Sequence, residues 1–477
     1  MPASLDFEFM PTPRQRPRDA ARPMRILLMG DFSGQPSAER APLASRPTLR
    51  VDLDNIDAVL QRLAPRAITG TDALSFKELD DFHPDALLQH VPVFDKLRQT
   101  RQRLLNPATF AQAAAELGMA PPPAPGAAPA SGGGGDLLAG LLGGKPAGLA
   151  AAAATPATPA AGIDAFVRSI AGDSSVPNTA PQQAQLVAQV DAAIAAEMRA
   201  VLHHPAFQSI ESAWRGVQWL VQGLELDDAL QLHLFDVSRD ELLADVVACG
   251  GRLTETGLHH ALADRWRNVP GGEGWSLLCG LFTFGPGDTD IGLLAALGLI
   301  AAQAGGPFVA AGHPTLAIGE PAALAGWQAL RGSEAATWLG LATPRVLLRL
   351  PYGKRSDPVS AFAFEEFPGA PEHAHFLWGA GSLAVAMLIG RAFAVNGWDM
   401  EPGDERQIDD MPAYTFERDG EREMQACAEQ YLGEQAALAL LAAGLMPVLS
   451  HKNRNAVSMM RMQSIAEPAQ ALAGLRR

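Results

Sequence analysis

The 477-residue sequence contains little cysteine, little tyrosine and no long apolar runs. Its cysteines are odd in number and widely spaced, which argues against a disulfide framework and suits a reducing compartment. The longest apolar runs are residues 291–302, far short of the ~20 apolar residues of a membrane helix, and residues 380–395, which contain an arginine. The first residues have neither the basic nor the apolar region of a signal peptide. We therefore predict a cytoplasmic protein that does not span a membrane.

Basic residues are also scarce: the sequence has 37 Lys and Arg against 52 Asp and Glu, which gives a net charge of −15. Acidic and basic residues balance in residues 1–160, so the whole excess of negative charge lies in the later part of the chain. Proteins that bind nucleic acid normally present a basic face that displaces counterions from phosphate. The charge pattern therefore predicts no nucleic-acid partner.

The sequence lacks the motifs of common active sites, namely a phosphate-binding P-loop, the zinc-protease pair of histidines and a nucleophile elbow. Three histidine pairs remain as metal candidates: His203 with His204, His259 with His260, and His373 with His375. Neighbouring side chains on a helix point about 100° apart, so adjacent histidines do not readily share a metal. The third pair would chelate only in an extended segment. Packing or surface histidines are the favoured interpretation, and we predict no catalytic residue, cofactor or metal.

Residues 119–160 mark the clearest boundary, because 14 Ala, 9 Gly and 8 Pro make up most of this segment. Such a composition buries too little apolar surface to offset the entropy of ordering it. The sequence therefore predicts a domain at 1–118, a flexible linker at 119–160 and a second domain at 161–477.

Strands alternate with helices on both sides of this linker, which predicts two α/β units, with α+β elements as an alternative. The predicted strands are 24–29, 49–53, 73–76, 230–237, 275–282, 308–311 and 345–350. Helices are predicted near 56–63, beside Pro84, and at 93–105, 184–202, 206–220, 290–304, 376–395 and 435–444. Ser238 and Glu241 have the spacing of a capping box at the start of one further helix.

The predicted helix at 206–220 carries an apolar stripe with steps of three and four residues: Phe207, Ile210, Trp214 and Val217. Glu211 and Arg215 lie four residues apart, which suits a helical ion pair. An apolar stripe usually packs into its own core, and this is the favoured interpretation. The alternative is a contact between subunits made by Trp214 and Arg215.

The order of several local motifs resembles the contractile sheath of type VI secretion systems. Residues 26–34 (ILLMGDFSG), 51–57 (VDLDNID) and 74–84 (LSFKELDDFHP) are similar to the small sheath subunit. Residues 202–216 (LHHPAFQSIESAWRG) have the most specific similarity to the large sheath subunit. Further similar segments are 344–353, 362–366, 376–380, 392–398 and 444–452. The chain thus looks like a fusion of the small subunit with a large subunit shortened at its C-terminal end.

This resemblance implies a structural subunit that catalyses no reaction and works as a lattice element, a cap or a baseplate adaptor. It implies as partners sheath subunits or copies of the chain, an inner tube, a baseplate and an AAA+ disassembly ATPase. Phe7 and Phe9 alternate with acidic residues and would donate a strand to a neighbour. Ile163 and Phe166 match in position the start of the helix that the ATPase engages, and the alternative is that they pack locally onto the following helices. The alternative function is a scaffold or regulatory binding module that keeps the fold without polymerising.

Overall fold

The structure is a computed structural model. It describes residues 22–69, 72–117, 179–320, 322, 324–452 and 454–475. The linker at 119–160 and four of the predicted interface residues, Phe7, Phe9, Ile163 and Phe166, lie outside this described part. Within it, no helix combines the length and the apolar character needed to cross a membrane.

Strands and helices alternate along the described chain, which confirms the predicted α/β class. The strands are β1 Met24–Gly30, β2 Leu49–Val51, β3 Arg66–Thr69, β4 Asp72–Ser75, β5 Leu230–Asp236, β6 Leu277–Phe284, β7 Phe308–Gly312, β8 Leu339–Thr343, β9 Val346–Leu347, β10 Trp378–Gly379, β11 Gln407–Ile408, β12 Tyr414–Arg418, β13 Glu421–Gln425, β14 Leu445–Ser450 and β15 Val457–Met459. The helices are α1 Ile56–Leu63, α2 Pro84–His90, α3 Asp95–Leu105, α4 Phe110–Glu116, α5 Thr179–Leu202, α6 Pro205–Gly223, α7 Arg239–Ala248, α8 Gly257–His259, α9 Asp288–Ala304, α10 Thr315–Ile318, α11 Ala325–Arg331, α12 Gly381–Asn396 and α13 Glu434–Ala442.

The chain forms two compact units, and each combines residues from before and after the linker. The first unit comprises the described residues within Met1–Pro65, Ser209–Leu350 and Gly369–Arg477. The second comprises those within Arg66–Gln208 and Pro351–Pro368. These bounds differ from residues 1–118 and 161–477. The division into a domain at 1–118, a linker at 119–160 and a domain at 161–477 stays a prediction.

A nine-stranded sheet runs through the first unit in the order β11-β15-β14-β8-β7-β6-β1-β5-β2. Six neighbouring strands, from β14 to β5, are parallel, and antiparallel strands flank them at both edges. Parallel strands buried on both faces read as continuous apolar runs, and β1, β6 and β7 have this pattern. Helix α12 packs against β6, β7 and β8, and α9 packs against the same strands.

Strand β1 lies between β5 and β6 and is parallel to both. Its register with β5 runs from Met24 opposite Leu230 to Gly30 opposite Asp236. Its register with β6 begins with Ile26 opposite Leu277. Because β1 belongs to the small-subunit-like segment and both neighbours to the other segment, the sheet is built from both parts of one chain.

The second unit is mainly helical and has a small aromatic core. Phe76 stacks on Phe82 with ring centroids 4.2 Å apart, and Phe207 meets both rings edge-on at 5.8 and 5.9 Å. Helix α3 packs against α5, where the Arg101 guanidinium lies 2.5 Å from the Asp191 carboxylate. Edge-on and offset aromatic pairs add stabilisation beyond the area they bury.

The predicted strand at 345–350 is largely wrong. Only Val346–Leu347 are extended, and they pair with Trp378–Gly379 outside the main sheet. The position in the main sheet belongs instead to β8, which the sequence analysis missed because its Gly340 and Ala342 have low strand propensity. The pairing of Trp378–Gly379 also delays the start of α12 to Gly381, later than predicted.

The position of β1 predicts a strong effect of truncating its side chains. We expect Leu28→Ala, at a fully buried residue, to lower the free energy of unfolding by about 2–5 kcal/mol, the usual cost of removing a core leucine. Leu53→Ala is the matched control, because this leucine is 65% exposed and its loss should change stability by less than about 0.5 kcal/mol. Urea unfolding of both variants measures the difference, and equal effects would contradict the central placement of β1.

Candidate functional site

The turn that follows β1 is fixed by a carboxylate at the end of β5. The Asp236 carboxylate accepts hydrogen bonds from the backbone N–H groups of Phe32 and Ser33 at 2.8 and 3.0 Å. The Ser33 hydroxyl donates a third bond to the same carboxylate at 2.7 Å. Ser33 and Asp236 are both buried. In open α/β sheets ligands bind at the carboxyl ends of parallel strands, so this turn is the first place to look for a site.

Two arginines and two carboxylates surround this turn. The Arg40 guanidinium contacts Asp31 at 2.5 Å and Glu241 at 2.8 Å. The Arg46 guanidinium contacts Glu241 at 2.7 Å and donates to the Asp236 carbonyl oxygen at 2.6 Å. Glu241 also accepts from the backbone N–H of Ser238, which confirms the predicted capping box of α7. We call these four side chains, Asp31, Arg40, Arg46 and Glu241, the charged junction.

Burial and pairing have opposite effects on the two carboxylates of the charged junction. Burial raises the pKa of Asp31 above its ordinary value, and the nearby Arg40 guanidinium only partly offsets this. Burial also acts to raise the pKa of Glu241, but hydrogen bonds from Arg46 and Ser238 and the charge of Arg40 lower it overall. Each charged group already has a partner within the chain. The adjacent cavity of about 160 Å³ is smaller than the usual ligand pocket, so the junction serves structure better than substrate binding.

Trp214, one of the predicted interface residues, lies in the core of the first unit. Its side chain is fully buried, its indole N–H donates to the Phe32 carbonyl oxygen at 2.9 Å, and its ring meets the Phe32 ring edge-on. This tryptophan therefore ties α6 to the turn after β1. The burial favours packing within the chain, and a contact between subunits made by Trp214 stays an untested prediction.

Arg215, the second predicted interface residue in the described part, lies beside a buried ion pair. Glu211 has no exposed surface, and its carboxylate is held in a two-point contact by the Arg349 guanidinium at 2.7 and 3.2 Å. The Arg215 Nε lies 3.6 Å from the same carboxylate, and its guanidinium donates to Gln218 at 3.0 Å. The predicted pairing of Glu211 with Arg215 exists, but Arg349 is the stronger partner.

A family model described as EvpB/VC_A0108, tail sheath N-terminal domain, matches residues 184–319 and 316–466, more than half of the chain. The chain belongs to this tail sheath family. A second model, described as Type VI secretion system, VipA, VC_A0107 or Hcp2, matches residues 6–117. The two matches confirm that the chain fuses a small-subunit-like segment to a large-subunit-like segment.

Two curated relatives from Pseudomonas aeruginosa agree with these matches. The chain is 32% identical over 308 residues to the type VI secretion system sheath protein TssC1, a match over 60% of this chain and 61% of that protein. It is 34% identical over 99 residues to the sheath protein TssB1, which covers 18% of this chain and 58% of that protein. The chain thus spans about three-fifths of each relative.

Small residues of this sheath chain allow α6 and α12 to approach closely. A Cβ atom at Gly216 would lie 2.8 Å from a methyl group of Leu383, and one at Gly390 would lie 2.6 Å from a methyl group of Leu224. These distances are shorter than ordinary van der Waals contacts, so alanine at either position would force the facing leucine side chain to move. Gly216 belongs to the segment that resembles the large sheath subunit, and its role here is packing.

Two His-Pro sequences of the second unit begin helices in the same way. The His83 Nδ1 accepts the backbone N–H of Asp85 at 3.2 Å, and the His204 Nδ1 accepts that of Ala206 at 3.2 Å. In each case proline follows at the first helical position, where a missing N–H costs nothing. The neighbouring His203 lies 3.3 Å from the buried Glu366 carboxylate. His204 therefore caps a helix, and His203 packs beside a buried carboxylate.

The third histidine pair and the cysteines also have structural surroundings. The His373 ring stacks on Trp378 and its Nε2 lies 3.4 Å from Glu429, while His375 lies on the same short helical turn. All three cysteines are buried. Burial raises the pKa of Cys279 to about 12 and that of Cys427 to about 11, so these thiols stay protonated and are poor nucleophiles.

The charged junction predicts unequal effects of neutralising its two carboxylates. We expect Glu241→Gln to lower the free energy of unfolding by about 1.5–3 kcal/mol, because it removes charged hydrogen bonds from two arginines. Asp31→Asn is the matched control and should cost less, since burial already disfavours the charged form of Asp31. The lowered pKa of Glu241 means that its contribution is present above the ordinary carboxyl pKa and is lost as pH falls through the lowered value. Urea unfolding at neutral and acidic pH measures both effects. A larger loss of stability in Asp31→Asn than in Glu241→Gln would refute the central role of Glu241 in the charged junction.

The buried Glu211 predicts a similar contrast between its two arginine partners. We expect Arg349→Met to cost about 3–5 kcal/mol, because it leaves a fully buried carboxylate without its two-point partner. Arg215→Met should cost less than about 1 kcal/mol, since its contact with Glu211 is longer and it is less buried. The double variant Glu211→Gln with Arg349→Met should recover part of the loss. Thermal unfolding of these variants measures the differences. A double variant as unstable as Arg349→Met alone would contradict the pairing of Glu211 with Arg349.

Proposed function

We propose that the chain is a structural subunit of a type VI secretion contractile sheath, or a sheath-derived component such as a lattice element, a cap or a baseplate adaptor. The observation that carries the proposal is the placement of β1 between β5 and β6. A strand from the segment that matches the small-subunit model completes the sheet of the segment that matches the large-subunit model. A single polypeptide thereby supplies both kinds of sheath component in a fixed one-to-one ratio.

The proposal includes that the chain catalyses no reaction of its own. The buried charges of the first unit are used in pairs: Glu241 with Arg40 and Arg46, and Glu211 with Arg349. Catalytic groups need environments that shift their pKa values and leave an accessible reacting atom. The surroundings of these pairs support structural roles instead. A turnover assay in which the chain converts a small molecule, with loss of activity on one interior substitution, would contradict this part.

The proposed partners are copies of the chain or ordinary sheath subunits, assembled in the cytoplasm. An inner tube, a baseplate and an AAA+ disassembly ATPase are the further partners that the family resemblance implies. Phe7 and Phe9 remain the proposed strand donors, and Ile163 and Phe166 the proposed start of the ATPase-binding helix. Contacts that do not close on themselves generate helical tubes, so this mode of assembly suits a sheath.

Electron microscopy of the purified full chain, alone and mixed with ordinary sheath subunits, tests the proposal. We expect tubes, rings or caps on the ends of sheaths, because subunit contacts of a sheath are heterologous and propagate. A Phe7→Ser and Phe9→Ser double variant should lose assembly, and Arg14→Ser with Arg16→Ser in the same stretch is its matched control.

The same experiment separates the remaining alternatives. A chain that stays monomeric and ignores sheath subunits would refute the sheath role and favour a scaffold or regulatory module. Arg215→Met distinguishes a contact residue from a structural one, because its expected effect on folding is small. Loss of assembly with unchanged thermal unfolding would place Arg215 in a contact between subunits, and retained assembly would assign it to folding alone.

A further inference from the structure

A short π-helical turn brings together two histidines that a regular helix would separate. Helix α8 ends at His259, and residues His260–Asp264 continue as a π-helix, in which the backbone N–H of Arg265 donates to the His260 carbonyl oxygen. Its wider spacing places the His260 Nδ1 2.5 Å and the His259 Nδ1 3.6 Å from one carboxylate oxygen of Asp264. The sequence argument against His259 and His260 assumed a regular helix, and the π-turn removes that assumption. Such turns are frequent at functional sites.

The Nδ1 atom of the buried His259 side chain lacks a hydrogen-bond partner. The residue is only 5% exposed, and its Nδ1 makes no hydrogen bond although it is shielded from solvent. A buried polar nitrogen without a partner is costly and calls for an explanation, such as an ion or water. The nitrogen lies close to the Asp264 carboxylate and within 4.8 Å of the His260 ligand atom.

We propose that His259, His260 and Asp264 bind a divalent transition-metal ion of the zinc class. Two imidazole nitrogens and one carboxylate oxygen are ligands that zinc prefers, at about 2.0–2.2 Å. The ion would take the place of the direct contact between the His260 Nδ1 and the Asp264 Oδ2, which lie 2.5 Å apart. The Asn268 side-chain amide donates to the other carboxylate oxygen of Asp264 at 2.7 Å, which orients the carboxylate as outer-shell partners do at metal sites. His260 and Asp264 are partly exposed, so water would complete the coordination.

At this position a bound ion would stabilise the contact between the small-subunit-like and the large-subunit-like segments within the first unit. A Cβ atom at Gly257, two residues before the first ligand, would lie 2.9 Å from the Leu43 Cβ and 3.0 Å from the Ala44 nitrogen. The Arg265 guanidinium, directly after the last ligand, donates to the Arg46 carbonyl oxygen at 3.1 Å. The turn that carries the ligands thus packs against the small-subunit-like segment, and a bound ion would rigidify that surface.

Zinc titration of the chelator-treated full chain, without a histidine tag, tests the site. We expect one zinc ion per chain, with binding weakened at least about tenfold by His260→Ala and by Asp264→Asn. Both residues are partly exposed, so these variants should fold even if a substitution at the buried His259 does not. His313→Ala is the matched control, because this histidine is exposed and its Nδ1 contacts only the Thr315 hydroxyl among the described side chains.

A second readout separates a specific site from weak surface binding. Zinc should raise the melting temperature of the wild-type chain and of His313→Ala, and should leave that of His260→Ala unchanged, because only a ligand that binds the folded state stabilises it. Cobalt in place of zinc should give the absorption of a four-coordinate ion that is lost in Asp264→Asn. Absence of zinc binding, or binding retained by either ligand variant, would overturn the proposal.

Discussion

The pairing of β1 with both β5 and β6 is the constraint on which the first unit depends. Strand β1 is buried on both faces, so its backbone groups must find partners within the sheet, and β5 and β6 pair with it on its two sides. Removal of β1 would leave two parallel strands with unpaired edges in the middle of a core. The turn after β1 is then fixed by Asp236, and Trp214 is fixed by that turn. A large part of the core thus depends on one strand.

The buried charged groups, like the backbone of β1, are paired with groups of the same chain. The Glu211 carboxylate and the charged junction have charges whose removal from water is costly, and in each case arginine contacts repay part of that cost. Several residues in segments that resemble sheath proteins are explained in this way, without reference to a ligand. Gly216 allows helices to approach, and His204 caps a helix. A conspicuous sequence motif therefore need not mark a catalytic or ligand-binding site.

The sequence predicted elements well and their arrangement poorly. Apolar runs were sufficient for β1 and for most of α9, and the Ser238 capping box was read correctly because capping is local. The partners of β1 could not be predicted, since pairing across about 200 residues leaves no periodic signal in one sequence. The π-turn at His260–Asp264 escaped prediction for a related reason: the usual angle between neighbouring side chains assumes a regular helix. The burial of Trp214 fits the interpretation that apolar stripes pack inward.

The long separation between β1 and its neighbours has a consequence for synthesis of the chain. Phe32 and Asp236, which are joined by a hydrogen bond, lie 204 positions apart. At roughly 5–20 residues per second, a ribosome needs on the order of 10–40 s to make the intervening chain. During this interval the apolar β1 has emerged but neither of its partners exists, and unpaired apolar strands are prone to aggregate. The sheet therefore cannot close around β1 until β5 and β6 have been made, and the first strand stays exposed to aggregation for that time.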